Sequence, residues 1–319
     1  MDLTNRTVIK DLFRKYGVRP EKYLGQHFIL SKKALAQMVA AAEIKKNDTI
    51  FEIGPGLGAL TQELAKNLPG RRAGGAKIVA IEKDPEMISI LKETLVDYKN
   101  IKIIQADARR LIPGTNQLIG SGNQSIWDKK YKIVANLPYN IATFLIRQWL
   151  DPPSSPPNGR IRRARPELMV LMIQKEVAQR ICAKPHFRQG YGGQAPMNLL
   201  AVSVQFYADA KIIGYVPAEA FWPKPKVDSA IIKIVPKRSK RNDCIKPIGL
   251  KQSFTFFAVV KAGFSQPRKQ LIGNLTKKLT IPKEEILSAF KKLDIPERTR
   301  AENLSLEQWI LLAKEIENN

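Results

Sequence analysis

Cysteine is nearly absent: the 319 residues carry two, Cys182 and Cys244, far apart and without a CxxC spacing. That excludes a disulfide framework, and the pair Cys182 and His186 alone falls short of the ligands a zinc site needs, so a zinc site is not expected and no metal is. A reducing cytoplasm suits such a chain. Long apolar runs are missing too. No window reaches the length of a membrane span, and the N-terminal MDLTNRTVIKDLFRKYG scatters charges through a helical pattern where a signal peptide would carry an apolar core. The expectation is a cytoplasmic protein, neither exported nor held in a membrane. The third shortage is negative charge: 29 Asp and Glu face 53 Lys and Arg, a formal net charge of +24. An excess of this size points to a polyanionic partner, nucleic acid first. A cationic surface that serves only solubility is the alternative, and charge by itself names no reaction.

What the chain does contain is enough apolar material, 44% of its residues, for a sizeable core and a second unit. Two domains are expected, residues 1–240 and 241–319. From residue 49 strands and helices alternate: TIFEIG, a helix through LTQELAKNL, KIVAIEKD, a helix through PEMISILKETL, IKIIQAD, then YKIVANLPY. Four strands separated by helices predict a parallel sheet of the α/β class. ELMVLMIQ, LLAVSVQFY, KIIGYV and AIIKIVP read as further strands, carrying the unit to about Pro236. Two stretches look like loops added to this frame, the proline- and arginine-rich 151–166 and the glycine-rich 184–196. After the basic linker PKRSKRNDCIKP, the segments FTFFAVVKAGF, PKEEILSAFKKL and SLEQWILLAKEIE have helical spacing, the last opening on Ser305 and Gln308 as a capping box.

Parallel sheets of this kind bind ligands outside the carboxyl ends of their strands, so chemistry is sought in the residues that follow each strand. After the first comes GPGLGA, whose glycines permit close approach of a ligand at a helix N-terminus. The spacing also satisfies the relaxed dinucleotide fingerprint GxGxxA, so a nicotinamide enzyme and a plain strand-to-helix turn both stay open. The second strand ends in Glu82, placed to take ribose hydroxyls, and the third in QADA, whose Asp107 can accept from an adenine amino group. The fourth runs into NLPY. The side-chain carbonyl of Asn136 can accept from an exocyclic amine, as can the backbone carbonyl of Leu137; Pro138 fixes the turn, and Tyr139 offers a face on which an extruded base stacks. FWPKPK sets Phe221 ahead of a rigid turn bearing Lys224 and Lys226, suited to stacking and phosphate contact, although Phe221 packed into the core reads equally well.

Taken with YLGQHFIL (23–30), FEIGPGLGALT (51–61), IEKD (81–84), FWPKPKVDSAIIKIVP (221–236) and FFAVVKAGFSQPRKQL (256–271), these motifs resemble the ribosomal RNA adenine dimethyltransferases over nearly the whole chain. The resemblance implies a Rossmann-like class I S-adenosylmethionine-dependent methyltransferase sheet with a small C-terminal all-α domain. By the same resemblance Gln26, His27, Phe28 and Asn136 lie against the cofactor and Gly54, Gly56 and Gly58 line it. Glu82, with Lys83 beside it, holds the ribose, and Asp107, with Ala108, the adenine. Asn136, Leu137 and Pro138 position the target amine, while Tyr139 and Phe221 sandwich the base. The implied activity is N6,N6-dimethylation of two adjacent adenosines in a hairpin near the 3′ end of small-subunit rRNA, within a pre-small ribosomal subunit and by a monomer. Candidate RNA contacts are Arg160, Arg162, Arg163, Arg165, Lys224, Lys226, the 237–241 run, Arg268 and Lys269. Two rivals share much of this pattern: an RNA-binding assembly or transcription factor on the same fold without turnover, and a large-subunit rRNA adenine methyltransferase conferring macrolide resistance. An intact NLPY argues against the first, and FWPKPKVDS with AGFSQPRKQL favours the small-subunit branch over the second.

Overall fold

The computed structural model describes residues 1–19, 26–69, 75–110, 130–150, 165–185, 196–237 and 250–318, with the backbone alone at 250–255 and 318. They divide into two compact units, Met1–Ala178 with Ala210–Pro236, and Gln179–Asp209 with Lys237–Asn319.

The first unit opens with α1 (Arg6–Tyr16), whose N-cap Asn5 accepts from the Thr7 N–H and whose chain leaves the helix through Gly17 in the left-handed region. A two-residue strand, β1 (Phe28–Ile29), precedes α2 (Lys32–Ala41). The alternation expected from residue 49 follows: β2 (Thr49–Ile53), α3 (Ala59–Lys66), β3 (Lys77–Glu82), α4 (Pro85–Thr94), β4 (Ile101–Gln105), β5 (Tyr131–Asn136), α5 (Ala142–Leu150), β6 (Leu168–Gln174) and α6 (Lys175–Ile181). Asp84 caps α4 with Pro85 in the first turn, where the missing N–H costs nothing. The chain returns to this sheet through β7 (Ala208–Val216), β8 (Phe221–Trp222) and β9 (Ser229–Pro236). Sheet order is β4-β3-β2-β5-β6-β9-β7, parallel from β4 through β6, with β9 antiparallel to β6. β2 and β5 lie mid-sheet and are buried on both faces, which is why their apolar runs are continuous. The one lysine in β5, Lys132, is 5% exposed. It is stabilised at the opposite end of the sheet from the glycine turn by Asp48 at 2.8 Å and the Ala42 carbonyl at 3.0 Å.

The second unit is helical: α7 (Leu199–Tyr207), α8 (Leu250–Gly263), α9 (Leu271–Leu279), α10 (Lys283–Lys292) and α11 (Leu306–Asn318). The capping box read from the sequence is formed, with Ser305 N–H donating to Gln308 Oε1 at 3.0 Å and Gln308 N–H to Ser305 Oγ at 3.1 Å. LLAVSVQFY corrects an expectation: it is α7, not a strand. Asn198 caps it through Ala201 N–H at 3.0 Å, and Ala201 and Val202 pack with Phe256, Val259 and Trp309. A run apolar on all sides has no period to read, and the strand begins one residue later, at Ala208. For the same reason residues 179–209 group with the helical unit, and the division is not the contiguous one expected at 240.

Gly263 ends α8 against this core. A Cβ there would stand 2.4 Å from Trp309 Cη2 and 2.8 Å from Leu271 Cδ1. Ala gains about 1 kcal/mol of helix propensity over Gly, whereas overpacking costs about 1–3 kcal/mol and here meets a fully buried indole. Gly263→Ala therefore lowers the midpoint of thermal unfolding; an unchanged or raised midpoint would show that Trp309 moves aside freely.

Candidate active site

The ends of β2, β3, β4 and β5 open onto one cavity of about 310 Å³. Its walls bring together Gln26, His27, Phe28, Gly54, Gly56, Glu82, Lys83, Asp107, Ala108, Asn136, Leu137, Pro138 and Tyr139. Gly54, at φ +65°, turns the chain off β2, and Pro138 Cδ lies 3.7 Å from where a Cβ would stand. Gly56, at φ +58°, is covered by the Phe28 ring, which leaves 3.1 Å to a would-be Cβ. Any L side chain at Gly56 would meet both backbone strain and that ring. Gly58 does not line the cavity: it starts α3, where a Cβ would meet Leu91 and Leu95 of α4, so its role is packing.

Glu82 is 8% exposed. Its Oε1 accepts from the N–H groups of Lys83 at 2.7 Å and Asp84 at 3.0 Å, and its Oε2 from Gly56 N–H at 3.2 Å. Burial pushes the carboxyl above the usual range, against the pull of those three donors. A side chain so fixed is a rigid acceptor for a diol. Asp107 behaves oppositely. The Arg109 guanidinium, 2.6 Å away through Nη2, holds it down at about 2, with Lys83 Nζ at 3.6 Å. Ionised, the carboxylate has acceptor sites beyond those Arg109 takes, enough for an adenine amino group. Arg109, which the sequence reading did not single out, is a member of the site.

Glu52 was also missed. It lies mid-sheet in TIFEI, is 1% exposed, and its Oε2 has no hydrogen-bond partner although it borders the cavity. Burial pushes it up to about 8, against the pull of the Thr61 hydroxyl and with a smaller push from the neighbouring Glu82. An acidic residue inside a β-branched strand was the available signal. An orphan acceptor by the glycine turn suits the ammonium end of an amino-acid-bearing ligand, as Glu82 suits a ribose and Asp107 an adenine. The set of acceptors therefore fits the ammonium, ribose and adenine of S-adenosylmethionine.

At the other end of the cavity, Asn136 Nδ2 donates to the His27 carbonyl at 3.2 Å. The Leu137 N–H is bound to the Met172 carbonyl at 3.1 Å, seating NLPY on β6. Tyr139 is half-buried, its hydroxyl 2.6 Å from Ser229 Oγ and its ring centroid 5.8 Å from that of His27. Phe221 is 3% exposed, paired through β8 with Ile29 of β1 and packed in the sheet core, and it is not among the residues lining the cavity. Burial was the alternative its apolar character allowed.

Of the cations proposed to meet RNA, Lys224 is ion-paired with Glu219, and Lys226 is exposed. Arg165 is partly buried; Arg160, Arg162, Arg163 and 238–241 lie outside the described residues, as do most of the 151–166 and 184–196 loops. Arg268 and Lys269 line a second concavity, of about 830 Å³ within the helical unit, with Lys277, Lys278, Lys283, Arg298 and Arg300 and no carboxylate. Among the described residues no group of three or more His, Cys, Asp or Glu could hold a metal ion, and no helix is long and apolar enough to cross a membrane.

The family model described as ribosomal RNA adenine dimethylase matches residues 18–318. A ribosomal RNA small subunit methyltransferase A from Dehalococcoides mccartyi is 37% identical over 310 residues, covering 97% of this chain and 93% of the relative. Proteins of the same name from Clostridium botulinum and Geobacillus are 36% identical over 300 residues (94% and 95% covered) and 34% over 312 (97% and 96%). Among solved structures, a dimethyladenosine transferase from Plasmodium falciparum has TM-score 0.67 at 24% identity, covering 92% of this chain and 98% of that one. The 23S rRNA methyltransferase ErmE has TM-score 0.64 at 21% identity, covering 91% and 99%. These two share the fold, the class I methyltransferase sheet with C-terminal helices. With a family model spanning residues 18–318 and relatives above 30% identity along its length, the chain belongs to the ribosomal RNA adenine dimethylase family.

Proposed function

We propose that this protein is an S-adenosylmethionine-dependent rRNA adenine dimethyltransferase that modifies N6 of two adjacent adenosines in a hairpin near the 3′ end of small-subunit rRNA. It acts as a monomer, without a metal, on a pre-small ribosomal subunit in the cytoplasm. The observation that carries the reading is Asn136: a side-chain amide at the cavity rim, its nitrogen already engaged, with the acceptors for an adenosyl ligand on one side and the Tyr139 ring on the other. The small-subunit name of the relatives favours this target over large-subunit RNA. Nothing in a nicotinamide enzyme would call for NLPY at this place.

When bound, S-adenosylmethionine supplies a methyl group on a positively charged sulfur, an electrophile that needs alignment more than activation. The chain's own part is positional. Asn136 Oδ1 and the Leu137 carbonyl accept the two hydrogens of the adenine amine, which turns the nitrogen lone pair out of conjugation with the ring and toward the part of the cavity where the cofactor would lie; the nitrogen sheds one proton to solvent for each methyl gained, and the singly methylated amine offers one remaining hydrogen for the second round. Tyr139, braced by Ser229, stacks the extruded base at about 1–3 kcal/mol. Glu82, Asp107 and Glu52 hold the cofactor in register. The basic concavity around Arg268 supplies phosphate contacts and a steep salt dependence.

Labelled S-adenosylmethionine with unmethylated small subunits and, in parallel, with unmethylated large-subunit RNA, each followed by nuclease digestion, tests the assignment. N6,N6-dimethyladenosine at two adjacent positions is expected. Subunit binding without label incorporation would favour the non-catalytic assembly factor, and labelling of large-subunit RNA instead would favour that branch.

A further inference from the structure

The segment Gln26–Ile29 reaches the glycine turn, the α4 cap and Asn136. Gln26 Nε2 donates to Asp84 Oδ2 at 2.9 Å, the N-cap that follows Glu82. The Phe28 ring covers Gly56. β1 pairs antiparallel with β8, Phe28 against Trp222 and Ile29 against Phe221, and Leu30 N–H donates to the Ala220 carbonyl at 2.7 Å. Between these anchors stands His27, with two polar links. Its Nδ1 is 2.7 Å from the Pro223 carbonyl, and its own carbonyl receives Asn136 Nδ2 at 3.2 Å.

Both links have a definite polarity. The Pro223 carbonyl can only accept, so the proton of the imidazole sits on Nδ1. The His27 carbonyl can only accept as well, so the Asn136 amide must turn its NH₂ toward it; the flipped amide would set two acceptor oxygens against each other. That leaves Oδ1 as the end available to the adenine amine, which donates two hydrogens and would be repelled by NH₂. Asn136 alone does not choose between its two ends, because they are nearly the same size and shape.

We propose that His27 is a positioning residue for methyl transfer: its Nδ1–H bond to the Pro223 carbonyl holds the 26–29 strap so that the His27 carbonyl locks the Asn136 amide with Oδ1 facing the target amine. The inference rests on the role of Asn136 proposed above. It makes competence of the amine acceptor depend on a strap that also closes over the glycine turn and grips the α4 cap, so the cofactor wall and the amine acceptor are set by one segment. His27 acts through Asn136 and does not itself meet the transferred methyl.

The side chains of His and Asn allow a clean test, because Asn Nδ2 and His Nδ1 are each one bond beyond Cγ. His27→Asn keeps a donor for Pro223, and His27→Leu keeps bulk without one. In the full-length protein with small subunits, His27→Leu lowers kcat about tenfold, the scale of one lost positioning hydrogen bond, and His27→Asn recovers most of it. KM for the subunit stays within about twofold in both, and any weakening of S-adenosylmethionine binding through the shared strap is smaller than the fall in kcat, since the removed bond acts chiefly on the reacting geometry. The second readout does not need turnover. In ¹⁵N spectra of asparagine-labelled protein, the Asn136 side-chain amide, identified by its loss in Asn136→Ala, is shifted and slow to exchange in the parent and in His27→Asn, and loses that protection in His27→Leu. An Asn136 amide unchanged in His27→Leu would overturn the proposal. So would a rise in KM for the subunit at constant kcat, which would place His27 as a brace for the Tyr139 ring, or a loss in His27→Leu that His27→Asn does not restore and that tracks a fall in thermal midpoint. A parent protein that binds subunits and cofactor but never methylates would sink the functional reading while leaving the amide measurement interpretable.

Discussion

Asn136→Ala lowers kcat by roughly 10²- to 10³-fold, the scale seen when one fixed polar contact to a transition state is removed, and leaves S-adenosylmethionine affinity within about threefold. The asymmetry follows from where the side chain sits. Its nitrogen is bound to the His27 carbonyl and its oxygen is the end proposed to meet the amine, whereas the acceptors proposed to hold the cofactor, Glu82 with its three backbone donors and Asp107 with Arg109, belong to the ends of other strands and stay intact. β5 continues to pair with β2 and β6, because the Leu137 N–H to Met172 bond is a backbone bond. Single-turnover methylation of small subunits, with cofactor binding by calorimetry alongside, separates the two quantities. A parallel loss of rate and cofactor affinity would reassign Asn136 to the cofactor wall.

The sheet was legible wherever one strand ended on a polar or glycine residue after an apolar run. Gly54, Glu82, Asp107 and Asn136 fall on one rim because β2, β3, β4 and β5 are parallel neighbours, and parallel strands put their carboxyl ends together. The helix ends were legible for a similar reason: Ser305 and Gln308 at capping-box spacing satisfy each other's backbone whatever the rest of the chain does. What failed was whatever depends on partners distant in sequence. Leu199–Tyr207 is helical because Phe256, Val259 and Trp309 cover it, and no property of nine mostly apolar residues announces that. Phe221 turns into the core because β8 pairs with β1, some two hundred positions earlier in the chain. Glu52 hid inside a strand whose other residues read as core; only the sheet shows that one inward-facing position of β2 meets the cavity. His27 was placed at the cofactor by resemblance, and its tie to Asn136 spans 109 positions.

Glu52 gives the site a pH dependence of its own. With the carboxyl pushed up to about 8 by burial, most molecules at neutral pH hold it protonated. The sign for the free protein is that of a raised acid: between the ordinary glutamate value and about 8 the folded chain keeps a proton that the unfolded chain has lost, so this residue's contribution to stability is full at low pH and falls as pH rises across that window. A cationic ligand reverses the preference. An ammonium beside the orphan Oε2 favours the carboxylate, so binding expels the proton, and affinity for S-adenosylmethionine rises by up to about tenfold per unit between roughly pH 6 and 7.5. Calorimetry at pH 7 in buffers of different ionisation enthalpy reports that release directly, at close to one proton per cofactor. In Glu52→Gln the side chain keeps its volume and cannot ionise. Its affinity for the cofactor is therefore low and flat across the same range, and the free variant no longer loses stability as pH rises toward 8. Glu82, also raised by burial, is held by three backbone donors and takes neutral hydroxyls, so it gains no ammonium and contributes little to the slope. A pH-independent affinity in the parent, or an unchanged slope in Glu52→Gln, would move the ammonium away from β2 and leave Glu52 a neutral core acid.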